Sequence, residues 1–286
     1  MAFSIRELLA RCEADLLRKG VDSPRLSAEL LLAEALDCTR LRLVMDHDRV
    51  VPSEQQQAFE ALWQRRAVGE PVAYILGTRE FYGLDFDVNS DTLIPRPETE
   101  HIIEAVEAAF PHDASFRFVD FGTGSGAIAV TLATLFPRAR GVAVDMSSGA
   151  LCTARCNAEH HNVTGRLAFV RADFTRPLFS DGIFDLVVSN PPYVTESEYA
   201  EASREVTGFE PATALLGGED GLDLVRDLVP LVGDVLKPGG LFLMEIGYRQ
   251  GDGVKKILSG QDQQFRCVEV LPDLAGLDRV ARARKL

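Results

Sequence analysis

This chain lacks any long hydrophobic run. Its longest apolar blocks, such as Val72–Leu76 and Leu241–Met244, are far below the ~20 residues needed to cross a bilayer, so no membrane association is expected. The opening Met1-Ala2-Phe3-Ser4-Ile5-Arg6-Glu7 mixes charges of both signs where a secretory leader needs a basic stub and an apolar block. Cysteine is sparse as well: five residues (Cys12, Cys38, Cys152, Cys156, Cys267), an odd and scattered set without a CxxC pair. A disulfide framework is therefore not expected, and half-buried, reduced thiols in the cytoplasm fit better. Cys152, Cys156 and His160 invite a metal reading, but on a helix rising ~1.5 Å per residue they span about 12 Å. One ion with bonds of ~2 Å could not take all three, and no metal is expected.

Positive charge is the other shortage. Lys and Arg total 30 against 43 Asp and Glu, a net charge of −13. Residues 1–70 carry 10 basic and 12 acidic groups, so nearly all the excess lies in residues 71–286, at net −11. Nucleic-acid binding rests on Lys and Arg displacing counterions from phosphates, so no stable nucleic-acid partner is expected; a basic protein surface suits this chain better. Disorder is excluded by the 46% hydrophobic and 26% charged composition, and no repeat or low-complexity tract is present.

The first seventy residues have helical periodicity. Ile5, Leu8, Leu9, Cys12, Leu16 and Leu17 form one apolar stripe, and Leu26, Leu30, Leu31, Leu32 and Leu36 another. Gly20 and Ser23-Pro24 separate these helices, and Pro52-Ser53 opens a third over Glu54–Ala67. Residues 1–70 thus predict a small helical bundle, read as a substrate-docking domain. Residues 71–92, with the β-like Val72–Leu76 and Phe81–Val88 and turn formers Gly77 and Gly83, predict a β-hairpin linker. In residues 93–286, short apolar runs (Phe118–Phe121, Gly141–Val144, Leu167–Val170, Phe184–Val188, Leu241–Ile246) alternate with helix-length stretches, and Lys237-Pro238-Gly239-Gly240 reads as a turn before the last run. That alternation predicts an α/β fold with a parallel sheet covered on both faces.

The chemistry clusters at predicted strand ends. Asp120-Phe121-Gly122-Thr123-Gly124-Ser125-Gly126 runs straight into the apolar helix beginning at Ala127, and glycines there let a ligand approach the helix N-terminus where a Cβ would block it. Gly122, Gly124 and Ala127 also satisfy the loose G-x-G-x-x-A dinucleotide pattern, so NAD stays open on this motif alone. Asp145 ends the second run, where a carboxylate accepts ribose hydroxyls in either cofactor class; it could equally cap the helix that follows. Asp173-Phe174 offers a carboxylate to an adenine amino group and a ring to its face, or Phe174 is simply core. Asp120 is where the ammonium of S-adenosyl-L-methionine (AdoMet) would be rewarded and an anionic pyrophosphate would not. Last comes Asn190-Pro191-Pro192-Tyr193, after Ser189. Two prolines remove backbone donors and leave carbonyl acceptors. The Asn190 side-chain oxygen and the Pro191 carbonyl could each accept one N–H of an amide or exocyclic amine, with Tyr193 against the planar face.

Together these motifs resemble the class I AdoMet-dependent methyltransferases acting on planar amino groups, which include adenine-N6 and protein-glutamine N5 enzymes. Leu93–Glu100, Glu210-Pro211, Gly217–Leu222, Glu245-Ile246-Gly247 and Asp273–Arg279 narrow the resemblance to the glutamine methyltransferases of class 1 peptide-chain release factors, nearly end to end. Phe174 departs from that pattern, standing where tryptophan is common, as does Phe121 where leucine is. The resemblance implies a Rossmann-like class I methyltransferase domain behind the helical bundle and hairpin. It implies AdoMet contacts at Gly122–Gly126, Asp145, Phe174 and Asn190, a glutamine amide bound by Asn190, Pro191, Pro192 and Tyr193, and a release factor as protein substrate. Ribosomal-protein glutamine and adenine-N6 methylation are the alternatives, with an NAD-dependent oxidoreductase more distant. Pro95–Glu100 reads either as a border of the methionine end of the cofactor or as a plain helix start, and Glu245, in an apolar strand, is expected to be structural and to need Arg279 as a partner.

Overall fold

The computed structural model describes residues 3–260 and 264–286; Met1 and Ala2, part of the opening read above against a leader, lie outside them. The chain divides into two units, one running to Thr78 and including Ser203–Phe209, the other comprising the remainder.

The first unit is helical: Ile5–Arg18, Pro24–Ala35, Arg40–Met45, Ser53–Ala67, Val72–Leu76 and Arg204–Phe209. Ser4 starts the first helix with a capping box, its hydroxyl accepting from the Glu7 N–H while Glu7 reaches back to the Ser4 N–H. The apolar stripes close into one core of Ile5, Leu9, Leu16, Leu31, Leu32 and Phe59. Val72–Leu76 corrects the β-like reading. Pro71 pre-sets the backbone ahead of one helical turn, Tyr74 and Ile75 are buried, and Gly77 stops the turn in a left-handed conformation (φ 77°). Five apolar residues carry no periodicity that separates helix from strand, so packing decides. Ser203–Phe209 joins this unit through Arg66, only 3% exposed, which donates to Ser27 Oγ, to the carbonyl oxygens of Asp22 and Glu70, and at 2.7 Å to Glu205.

The second unit begins with a hairpin, β1 (Thr78–Phe81) and β2 (Leu84–Asp87), turned by Tyr82-Gly83 with positive φ at both positions, as a tight two-residue turn requires. This hairpin is no free linker. Phe81 and Phe86 are fully buried edge to face (6.0 Å, 77°) in a core with Ile102, Ile103 and Phe118, and Asn157 holds both the N–H and C=O of Asp87. The main sheet has seven strands: β3 (Arg117–Phe121), β4 (Arg140–Asp145), β5 (Leu167–Arg171), β6 (Phe184–Ser189), β7 (Leu236–Glu245), β8 (Phe265–Pro272) and β9 (Asp278–Lys285). Their order is β5-β4-β3-β6-β7-β9-β8, with β3 to β7 parallel and β8 and β9 antiparallel. The predicted turn Lys237–Gly240 falls inside β7, where the pairing with β6 slips between Phe184 and Leu186. Helices Glu100–Ala109, Ala127–Leu135 and Ser148–His160 cover one face, and Asp223–Val235 and Gly251–Ser259 the other. Winding reverses between β3 and β6, which opens a crevice at their carboxyl ends, where open α/β sheets bind ligands. Among the described residues no helix is long and apolar enough to cross a membrane.

Candidate active site

A cleft of about 810 Å³ occupies that crevice, lined by Gly122–Ser125, Asp145, Asp173, Phe174, Asn190 and Pro192, with Pro95, Arg96 and Thr99 along one wall. The glycine loop shapes it. Gly122 is left-handed (φ 76°), and a Cβ there would stand 3.6 Å from the Phe174 ring and 3.8 Å from the Asn190 carbonyl oxygen, filling the cradle between them. Its N–H and that of Thr123 bond the Val144 carbonyl, tying the loop to β4.

Asp145 accepts the Gly124 N–H on one oxygen (2.9 Å) and the Ser147 N–H on the other (2.9 Å), while Ser147 itself caps the following helix through its hydroxyl. Each carboxylate oxygen keeps a further lone pair, so this rigidly held group can still accept a diol. Asp173 folds onto Thr175, accepting its N–H and hydroxyl on Oδ1, and those bonds hold its pKa below the usual carboxylate range. Phe174 tilts against Phe121 with centroids 6.0 Å apart and turns its other side to the cleft. A diol acceptor, a fixed carboxylate with an aromatic face, and a glycine cradle together fit the ribose, adenine and methionine portions of AdoMet.

Several expected site residues do not line the cleft. Asp120 is completely buried: Oδ2 accepts the Thr123 hydroxyl at 2.6 Å, and Oδ1 finds no hydrogen-bond partner among the described residues. Burial pushes its pKa up to about 7. It supports the glycine loop from below, and any contact with a ligand ammonium would be through the field rather than direct. Gly126 and Pro191 are buried outside the lining. Gly126 opens the Ala127–Leu135 helix (φ 82°) against Ala154. Tyr193, expected against the substrate plane, instead turns its hydroxyl inward to Glu245 at 2.9 Å, because a buried phenol must find an acceptor. Burial raises its pKa.

Asn190 lines the cleft. Its Nδ2 donates to Thr99 Oγ1 (3.0 Å), and no described residue donates to its Oδ1. Pro97–Thr99 is a helical turn leading into Glu100–Ala109, the helix start offered above, and Pro95, Arg96 and Thr99 also line the cleft. Arg96 pairs with buried Glu210 at 2.5 Å, and Glu210 also receives the Ile94 N–H, so that carboxylate pins the segment. Glu245 is 1% exposed and accepts from Thr99 Oγ1 (2.6 Å) as well as Tyr193. Arg279, its expected partner, bonds Asp273 instead (3.1 Å) and reaches Glu245 only by its charge. Thr99, Glu210 and Glu245 lie in segments that the sequence singled out, but no role at the site was read for any of the three individually. Cys152 and Cys156, read above as half-buried, are both exposed.

Residues 7–77 match the family model of the PrmC N-terminal domain, and residues 99–244 that of the methyltransferase small domain. The chain is 47% identical to the release factor glutamine methyltransferase of Nitratidesulfovibrio vulgaris, over 99% of this chain and 95% of that protein. It is 45% identical to the one of Neisseria gonorrhoeae, over 90% and 92%. A methyltransferase from Pyrococcus furiosus, 18% identical, shares the fold with a TM-score of 0.54 over 78% of this chain and 96% of that one.

Proposed function

We propose how the cleft works from one premise: this chain belongs to the release factor glutamine methyltransferase family and is a protein-glutamine methyltransferase. The substrate is the glutamine of the Gly-Gly-Gln motif of a class 1 release factor, methylated on its side-chain nitrogen (N5). AdoMet, held by the glycine loop, Asp145, Asp173 and Phe174, supplies an electrophilic methyl group on a sulfonium. Everything else falls to the protein. A carboxamide nitrogen is planar and weakly nucleophilic, so its two N–H groups need acceptors that strengthen as the nitrogen becomes tetrahedral and cationic. Asn190 lines the cleft with its Nδ2 committed to Thr99 and no described donor on its Oδ1, so that oxygen is the first, and it is the observation that carries this reading. Pro191 itself lies buried outside the cleft lining, yet no described residue donates to its carbonyl, which is the candidate for the second. Rigid acceptors beside the methyl carbon supply orientation, the larger part of the advantage in an in-line displacement. No general base acts before attack, because the proton leaves the nitrogen only after it turns cationic.

The N-terminal helical unit is read as the docking surface for the release factor. The net charge of −13 argues against a nucleic-acid substrate and suits a basic protein one. A cytoplasmic location, where release factors act, belongs to the same reading. Mass spectrometry of a release factor incubated with the enzyme and isotopically labelled AdoMet tests it: one methyl group is expected, confined to the Gly-Gly-Gln glutamine. An unmodified glutamine, or label on another residue, would refute the substrate assignment.

A further inference from the structure

We infer that Glu245 is a positioning residue for methyl transfer: through the Thr99 hydroxyl it fixes which end of the Asn190 carboxamide faces the cleft. The inference rests on the reading above, in which the oxygen end of the Asn190 carboxamide, and not its NH2 end, accepts a substrate N–H.

A carboxamide has a donor end and an acceptor end of nearly equal size, so shape alone does not choose between them. Hydrogen-bond accounting does. Glu245 accepts at 2.6 Å from Thr99 Oγ1 and at 2.9 Å from the Tyr193 hydroxyl. An ionised carboxylate has no proton to give, and a hydroxyl has only one, so the Thr99 proton is committed to Glu245. What Thr99 then presents to Asn190, 3.0 Å away, is a lone pair. The NH2 end of Asn190 satisfies that lone pair; its oxygen would be repelled, and is left for the cleft. Were Glu245 protonated or replaced by an amide, the Thr99 proton would be free to point at Asn190 and the flipped carboxamide, with NH2 towards the substrate, would gain a partner.

The fold gives Glu245 no other task of this kind. It ends β7 directly after Met244, which pairs with Ser189, the residue before Asn190, so the two strand ends bring the carboxylate beneath the Asn-Pro-Pro-Tyr turn. Thr99 arrives from the turn preceding Glu100–Ala109. The charged groups around Glu245 are few: Arg279 from β9 favours its ionised form, and Glu98 opposes it. Burial, the largest influence, pushes its pKa up, so the acid loss of the orienting charge falls at higher pH than for a surface glutamate.

Two measurements test this, one independent of turnover. In cofactor-free protein, the Asn190 side-chain NH2 protons, followed by 15N NMR, are expected to exchange with water more slowly than those of exposed asparagines, and Thr99→Val to abolish that protection. Equal exchange in the parent protein would overturn the inference whatever the enzyme methylates. In steady-state methylation of a release factor, Thr99→Val and Glu245→Gln are each expected to lower kcat by about tenfold or more through lost orientation, with KM and the AdoMet Kd within about threefold. Thr99→Ser, which keeps the hydroxyl, recovers most of the loss. The double variant is no worse than the poorer single one, because both act along one path. The parent's kcat falls on acidification through the Glu245 titration, and Thr99→Val lacks that limb. An unchanged kcat in Thr99→Val, or an acid limb surviving in it, overturns the role even if Glu245→Gln fails to fold. An inactive parent enzyme would instead count against the substrate reading, leaving the NMR result to judge this one.

Discussion

Asn190 and Asp145 lie in one cleft, and substitution separates the roles proposed for them. On that proposal Asn190→Ala removes the acceptor for the substrate amide but leaves the glycine loop and Asp145 untouched. It is expected to keep AdoMet affinity within about tenfold and to lower methyl transfer by roughly a hundredfold or more, the usual cost of losing an oriented transition-state contact. A variant with parental turnover would refute the role. Asp145→Ala has the opposite profile. The carboxylate bonds the Gly124 and Ser147 amides as well as offering lone pairs to a ribose, so its loss loosens the loop and chiefly raises the AdoMet Kd in calorimetry. An unchanged Kd would remove Asp145 from the cofactor site.

Among the elements, the Gly122–Gly126 loop and the helix it launches are the most constrained. Gly126 has φ 82°, and an added Cβ would meet Ala154 Cβ at 3.1 Å and its Cα at 3.2 Å, atoms anchored to a neighbouring helix. Gly126→Ala therefore meets the left-handed penalty of about 1–2 kcal/mol and a contact with nowhere to relax. A urea denaturation midpoint shifted by at least that much is expected; a loss below about 0.5 kcal/mol would show that the loop adjusts. The hairpin β1–β2 makes the complementary point. Its alternation is legible in Phe81–Val88, but that Phe81 and Phe86 seal a core against Ile102 and Ile103 is not, since periodicity reports a buried face without naming its partner.

For the whole molecule, one buried acid couples stability to pH. The Asp120 pKa is raised to about 7 by burial, against an ordinary value near 3.8 in the unfolded chain. The folded state then binds the proton more tightly than the unfolded one, so this group's favourable contribution is complete below about pH 4 and is lost as pH rises towards 7. Asp120→Asn keeps an acceptor for Thr123 and cannot titrate. The difference in melting temperature between variant and parent is expected to widen in the variant's favour from pH 4 to pH 7 and to be flat above. Parallel curves would mean that Asp120 ionises normally in place.

Much of the architecture was already determined in one dimension. The helical stripes, the five parallel strands and the placement of Gly122, Asp145 and Asn190 at or just beyond strand ends follow from local periodicity and from the way glycine and proline restrict a backbone, properties that residues carry wherever they are. The last two strands, β8 and β9, were not legible, because arginine-rich alternation such as Arg282-Ala283-Arg284 reads as solvated chain until a neighbouring strand supplies its hydrogen bonds. Nor could sequence alone show that Tyr193 looks inward, that Arg279 belongs to Asp273, or that Thr99, Asn190 and Glu245 share one chain of protons. Hydrogen-bond partners as far apart as Thr99 and Asn190, 91 positions, are chosen by which strand ends adjoin in the folded sheet, and that adjacency exists only in three dimensions.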